Sequence, residues 1–230
     1  MLFALPCTAW LFELLIPSRC ASCGEPGPLL CGSCLCRLVP VNPPLCARCG
    51  APTAWPVERC RECAGRRIAF TTARAGFVYV DVARPFVRGW KERGARPLAA
   101  MAAMLVAERL PCPAADVITY IPPDGDRSLR RGHQPAEGLA RELGVLWGLP
   151  VARLLARRRR VARQTGLPRV ERGRNMRGAF VARERVQGRV VLVDDVYTTG
   201  ATVSSAATAL RAAGASTIDV VTLARAVRGR

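Results

Sequence analysis

Two adjacent carboxylates, Asp194 and Asp195, follow the apolar run Val190-Val191-Leu192-Val193 and precede Val196-Tyr197-Thr198-Thr199-Gly200-Ala201-Thr202. Four consecutive apolar residues read as a strand covered on both faces, as in a parallel sheet. The acids fall where that strand ends. The Thr/Gly loop then opens into a helix over 201–211, with Val203, Ala207 and Leu210 on one face and Gly214 as its stop. Backbone N–H groups and hydroxyls at a helix N-terminus make a site for phosphate. The paired aspartates would repel that phosphate; they suit the vicinal hydroxyls of a ribose, or Mg2+ near them. Phosphate at one end and a diol at the other describe a ribose 5-phosphate. The plain alternative is an ordinary strand–helix turn of a doubly wound domain, where two adjacent acids ahead of Thr-Thr-Gly-x-Thr are rare.

This stretch closely resembles the phosphoribosyl-pyrophosphate (PRPP) signature of the type I phosphoribosyltransferases: hydrophobic strand, two acids, two hydrophobic residues, Thr-Thr-Gly. The motif names a ligand better than it names a reaction.

A second chemistry lies in the cysteines. Cys20 and Cys23, Cys31 and Cys34, Cys46 and Cys49, and Cys60 and Cys63 form four Cys-x-x-Cys knuckles, with Gly24 and Gly50 directly after two of them. Each knuckle puts two thiolates on one tight turn, and two knuckles complete a tetrahedral zinc site, so four make two structural Zn2+ sites. Consecutive pairing is the simpler arrangement; interleaved pairing fits the spacing too. A disulfide framework is the competing account, but no signal peptide places the chain in an oxidising compartment. Cys7, Cys36 and Cys112 fall outside the pattern, although Cys36 could stand in for Cys34. The Pro-rich segments 40–44 and 52–56, with few aliphatics, fit a ribbon held by metal.

A chain of 230 residues with 50% hydrophobic content holds one good core plus an appendage and is not disordered. The net charge of +18 favours polyanions, whether nucleic acid or a pyrophosphate ester. Lys91 is the single lysine, and the preference for arginine reflects codon usage more than function. Residues 1–16 are apolar but lack a basic start, contain Glu13, and are too short for a membrane span of about 20 residues. They read as an amphipathic helix docking on the protein, with peripheral membrane contact as the lesser alternative. The expected location is cytoplasmic, with no transmembrane segment.

The elements that must position these groups alternate. Strands are expected at 77–82, 116–121, 190–193 and 218–223, and helices at 83–93, 97–110, 129–146 and 201–211. The fold class is therefore α/β, a parallel doubly wound sheet. The loop from Pro122 and Pro123 to Asp126 and the loop 194–202 both sit at the carboxyl ends of strands, where ligands of such sheets bind. Arg127, Arg130 and Arg131 open the helix after the first of these. Between Arg153 and Arg189 thirteen arginines face two glutamates, and the run Arg157, Arg158, Arg159 and Arg160 lies within. Such a run is a solvated face, a lid over an anionic ligand, or a track for single-stranded nucleic acid. His133, the single histidine, stands at a helix start, where a structural role is commoner than general-base catalysis.

The whole chain, in order, resembles the ComF family, competence-associated proteins with an N-terminal zinc ribbon and a phosphoribosyltransferase-like domain. The resemblance rests on Ile16-Pro17-Ser18-Arg19-Cys20, the cysteine knuckles, and Lys91 within Trp90-Lys91-Glu92-Arg93-Gly94. It continues through Ile121-Pro122-Pro123, Arg131-Gly132, Ala136, Leu139 and Ala140. Then come Gln164, Leu167, Arg172, Asn175, Gly178, Phe180 and the 194–202 motif. The chain departs from the family at His133-Gln134-Pro135, where Phe-Asn-Gln is usual, and at Tyr120-Ile121-Pro122, where Pro-Val-Pro is usual.

The resemblance implies an apolar N-terminal helix (1–18), a double zinc ribbon (19–67) and a phosphoribosyltransferase-like domain (68–230). It also implies PRPP binding with Mg2+, and single-stranded DNA and the competence DNA-uptake machinery as partners. Asp194 and Asp195 would hold the ribose hydroxyls and the Thr198–Thr202 loop the 5-phosphate. Lys91, Pro122, Pro123, Arg130 and Arg131 would approach the pyrophosphate. Two functions follow: phosphoribosyl transfer to an acceptor, or a non-catalytic, PRPP-responsive factor that binds single-stranded DNA through Arg157–Arg160.

Overall fold

The computed structural model describes residues 18–93, 96–123, 133–158 and 178–227. The expected N-terminal helix, Arg127, Arg130, Arg131, Arg159 and Arg160 lie outside them, as do Cys7, Gln164, Leu167, Arg172 and Asn175. In chain order the described elements begin with α1 (Gly32–Cys36), β1 (Thr72–Val78), α2 (Ala83–Arg93) and α3 (Arg96–Arg109). Next come β2 (Val117–Tyr120), α4 (Pro135–Trp147), β3 (Leu155–Arg157) and β4 (Phe180–Ala182), and finally β5 (Arg189–Tyr197), α5 (Ala201–Ala212) and β6 (Thr217–Arg225). Strands β1, β6, β5 and β2 form one parallel sheet in that order, and β3 pairs with β4 in a separate antiparallel hairpin.

The central strand explains why the motif reads as a continuous apolar run. Along β5, Val191 and Val193 belong to one apolar cluster and Val190 and Leu192 to another, all four fully buried. Successive side chains of a strand point to opposite faces, so both faces of the sheet are covered. Helices α2, α3 and α4 supply Trp90, Ala102 and Leu139 to the first face, and α5 supplies Val203, Ala207 and Leu210 to the second. Burying one such large side chain contributes about 1.5–3 kcal/mol.

Both zinc-ribbon segments join these cores. Cys20, Leu30 and Cys34 share the first cluster with Phe86 and Trp90, while Cys46, Cys49 and Cys63 share the second with Phe70 and Leu192. Backbone bonds add to the second contact: Ala73 N–H of β1 donates to Arg48 O at 2.9 Å. Gly50, at φ +67, lies so near β1 that a Cβ there would stand 2.3 Å from Ala73 O. Only glycine fits that knuckle.

Four expected boundaries shift, each for a physical reason. The first strand ends at Val78 and not Val82, because Tyr79 and Val80 turn the chain into Asp81, which has φ +39. The strand expected at 190–193 continues through both acids to Tyr197, so the aspartates are strand residues and the loop begins at Thr198. The helix expected from 129 begins at Pro135, since proline suits the first helical position and holds Gln134 extended (φ −133, ψ 103). The final strand runs on to Arg225, two residues past the expected end at Leu223. Among the described residues no helix is long and apolar enough to cross a membrane.

Candidate functional site

At the carboxyl end of β5 the backbone turns upward into the loop, and its side chains line a cavity of about 470 Å³. That volume falls within the usual range of small-ligand sites. Asp194, Asp195, Val196, Thr198 and Thr202 come from this stretch. Lys91 enters from α2, Pro122 and Pro123 from the end of β2, His133 and Gln134 from the entry to α4, and Arg157 from the hairpin. Residues as distant in sequence as Lys91 and Thr202 thus meet in one place because parallel strands deliver their ends to the same edge.

Electrostatics divide the two acids. Lys91 Nζ stands 2.6 Å from Asp195 Oδ2, with that carboxylate 14% exposed. Asp194 Oδ1 accepts the Asp195 N–H at 2.9 Å. Burial first, and the Asp195 charge second, push the Asp194 carboxyl up to about 7, against the Asp195 N–H, Lys91 and Arg157. Asp195 is thus paired with a lysine, while burial and its neighbour's charge favour the protonated form of Asp194. Two adjacent oxygen-donor groups of this kind also suit Mg2+, which takes one or two carboxylates and leaves its other positions to water and phosphate.

The loop rests on a fixed floor. Tyr197 is 4% exposed, lies edge-on to Phe70 with ring centroids 6.3 Å apart, and carries the Arg225 guanidinium 5.0 Å above its ring. Burial pushes the Tyr197 hydroxyl well up, with Cys49 adding to it. Gly200, at φ +71, is the N-cap of α5 with no side-chain cap, which leaves first-turn N–H groups available to an anion. Thr199, Gly200 and Ala201 complete the loop, and Thr199 Oγ1 accepts the Ala201 N–H at 3.4 Å.

His133 Nε2–H donates to Trp90 O at 2.8 Å, tying the entry of α4 to the turn of α2 that carries Lys91. Gln134 and Ala136 line the cavity as well, as does Tyr79, which no motif singles out. The arginine run is split. Arg157 faces the cavity with its guanidinium 5.2 Å from the Phe180 ring centroid. Arg158 faces a second groove of about 530 Å³ with Arg183 and Arg185, between the hairpin and the end of α5.

The thiols form two separate clusters, Cys20, Cys23, Cys31 and Cys34, then Cys46, Cys49, Cys60 and Cys63, so pairing is consecutive. Cys36 is exposed and outside them. Zn–S bonds of about 2.3 Å in a tetrahedron place sulfurs about 3.8 Å apart. Cys23 and Cys31 lie at 3.7 Å, Cys46 and Cys63 at 3.6 Å, and Cys60 and Cys63 at 3.8 Å, so the residues fit Zn2+. At Cys20 burial works upward but is outweighed by the N–H groups of Cys23, Cys31 and Ser22, and the thiol falls to about 6. Burial and then Cys31 push Cys34 up to about 12. Binding zinc therefore releases protons from thiols such as Cys34 that burial holds in the neutral form.

Comparison with known proteins follows the same division. Residues 11–64 match the double zinc ribbon domain and residues 129–230 the phosphoribosyl transferase domain. The chain is 32% identical over 228 residues to the DNA utilization protein YhgH of Salmonella typhi, covering 92% of this chain and 99% of that protein. The chain belongs to the ComF family. Another relative, Competence protein F of Haemophilus influenzae, is 27% identical over 197 residues, 80% of this chain and 85% of that one. Among solved structures, the glutamine PRPP amidotransferase of B. subtilis, complexed with ADP and GMP, superimposes with a TM-score of 0.38 at 29% identity, over 54% of this chain and 25% of that chain. The ComF chain is thus a parallel α/β phosphoribosyltransferase-type fold with an N-terminal double zinc ribbon.

Proposed function

We propose that the strand-end cavity binds PRPP with Mg2+ and transfers its phosphoribosyl group to an acceptor, in a cytoplasmic protein that serves the handling of incoming single-stranded DNA. One observation carries this reading: β5 brings two acids and a helix-capping Thr/Gly loop to the same cavity, with Lys91 and Arg157 on its rim. Asp194 and Asp195 accept hydrogen bonds from the ribose 2′ and 3′ hydroxyls. The N–H groups and hydroxyls of the Thr198–Thr202 loop take the 5-phosphate. Lys91, Pro122, Pro123 and Arg157 form the pyrophosphate side. Asp194 and Asp195 would hold Mg2+, which would supply charge neutralisation for the leaving group.

Lys91 contacts only Oδ2 of Asp195, so the carboxylate keeps acceptor sites for a ribose hydroxyl while the ammonium faces the pyrophosphate side. The C1–O bond breaks with its electron pair on pyrophosphate, while an acceptor lone pair forms the new bond at C1. The protein acts by positioning and electrostatics. The names of its relatives, DNA utilization protein and Competence protein F, support the link to DNA. The test is pyrophosphate release from Mg2+-PRPP over a panel of nucleobases, with Asp195→Asn as control. Release with one base, absent in the control, supports transfer; silence from folded, zinc-loaded protein removes the catalytic half.

A second reading has its own observation. In the groove behind the hairpin, Arg158, Arg183 and Arg185 are exposed and none is paired with a carboxylate among the described residues. A PRPP-responsive factor without turnover would lay a single-stranded phosphodiester backbone there. Its affinity would fall steeply with salt and on charge reversal of the three arginines; indifference to both removes it.

A further inference from the structure

The Thr198–Thr202 loop is tied to one zinc site and not to the other. Arg66, three residues after the zinc ligand Cys63, donates from Nη1 to Thr199 O at 2.8 Å and to Glu62 O at 3.3 Å. Its own N–H reaches Cys63 O at 3.3 Å, and Arg59 Nη2 donates to Arg66 O at 2.8 Å. The partner knuckle is linked to the same loop from below. Arg225, 1% exposed, donates from Nη1 to Cys49 O at 2.5 Å and pairs with Glu62 at 3.3 Å. Its guanidinium covers the Tyr197 ring, and the Tyr197 hydroxyl fills the space beneath Gly200. Ser204, in the first turn of α5, adds a bond to Arg67 O at 3.5 Å. Among the described residues no hydrogen bond joins the first ribbon to this loop.

We propose that the second zinc ribbon is a working part of the ligand site, with Arg66 as the positioning residue that fixes the loop. Metal at Cys46, Cys49, Cys60 and Cys63 sets the two knuckles, Arg66 and Arg225 carry that geometry to Thr199 and Tyr197, and the loop N–H groups are held in place before any ligand arrives. An ordered loop avoids the entropy of ordering on binding. Zinc retention at the second site and occupancy of the loop are then reciprocally linked. The assignment of a phosphate ligand rests on the proposed function; the ordering of the loop by the ribbon does not.

The experiment uses the full, zinc-loaded chain. Hydrogen exchange is followed in peptides spanning 197–204 in wild type, Arg66→Ala and Arg66→Lys, each carrying two zinc ions, with Arg66→Gln replacing the alanine variant should it load fewer. Exchange in this segment is expected to rise at least fivefold in Arg66→Ala, with α3 and α4 unchanged, and to return part-way in Arg66→Lys, which restores one donor. Unchanged exchange at 197–204 overturns the proposal. Mg2+-PRPP is titrated into the same samples. An affinity about tenfold weaker in Arg66→Ala, with ligand slowing zinc release from the second site in wild type alone, supports the linkage; equal affinity and equal release overturn it. A wild type that ignores PRPP while its loop loosens in Arg66→Ala removes the PRPP assignment and supports the positioning role.

Discussion

Replacing Gly200 by alanine tests whether the ligand loop truly rests on Tyr197. The new Cβ would lie 2.2 Å from Tyr197 Oη and 2.6 Å from Cζ, on a backbone at φ +71. The ring cannot yield, since Phe70 packs edge-on to it and Arg225 lies across it. The left-handed conformation costs alanine about 1–2 kcal/mol. Overpacking adds about 1–3 kcal/mol. The sum, about 2–5 kcal/mol, corresponds to a fall in Tm of about 5–20 °C for a chain of this size. Scanning calorimetry of protein confirmed to hold two zinc ions reads it directly. Gly200→Asn separates the two terms, because asparagine tolerates φ > 0 yet carries the same Cβ. It should recover only the conformational share. Adding Tyr197→Phe to the alanine variant moves the nearest contact from the hydroxyl to the ring carbon, still in overlap, and gives partial rescue. A change below about 0.5 kcal/mol in Gly200→Ala, inside the range of an unremarkable surface substitution, would refute the packing of the loop on Tyr197.

Three other outcomes are expected. Asp194 has a folded-state carboxyl near 7, above its ordinary value of 3.8, so the folded state binds more protons between about pH 4 and 7 and stability falls as pH rises through that window. Asp194→Asn should therefore exceed wild type in stability by a margin that grows up to pH 7 and is constant above it. At pH 8 the margin is about 2 kcal/mol after discounting for partial exposure, and urea melts at several pH values will show it. Cys23 is exposed whereas Cys46, Cys49 and Cys63 are buried, so a chelating dye should remove zinc in two phases of one ion each, with Cys23→Ser abolishing the fast one. Lys91→Met leaves Asp195, beside Asp194, without its 2.6 Å ammonium partner, so at pH 8 it should lose about 1–2 kcal/mol, and millimolar Mg2+ should stabilise it more than wild type; equal Mg2+ responses would contradict the geometry.

What could be read from the sequence was whatever depends on neighbours along the chain. The β5 motif, the knuckles and helix α2 are local patterns, whereas spacing left the zinc pairing open between consecutive and interleaved, and the two separate thiol clusters decide it. Strand β1 was misplaced because its buried positions ahead of Phe77 are Ala73, Ala75 and Gly76, too small to mark a strand, while Tyr79 and Val80 look like one and form a turn. The hairpin β3–β4 escaped because each strand has three residues and 22 residues separate them, so pairing leaves no periodic signal. The arginine run looked like one surface, yet strand alternation sends Arg157 to the cavity and Arg158 to the groove. Arg66 and Arg225 were invisible for the opposite reason. In a chain this rich in arginine, nothing marks the one that is buried or the one that reaches 133 residues along the sequence to Thr199.

The most direct test of the central claim is calorimetric titration of Mg2+-PRPP into zinc-loaded wild type and Asp195→Asn. The account predicts one site per chain in wild type and at least tenfold weaker binding in the variant, a loss of about 1.4 kcal/mol or more. Absence of binding to folded wild type, or equal affinity in the two proteins, would contradict it.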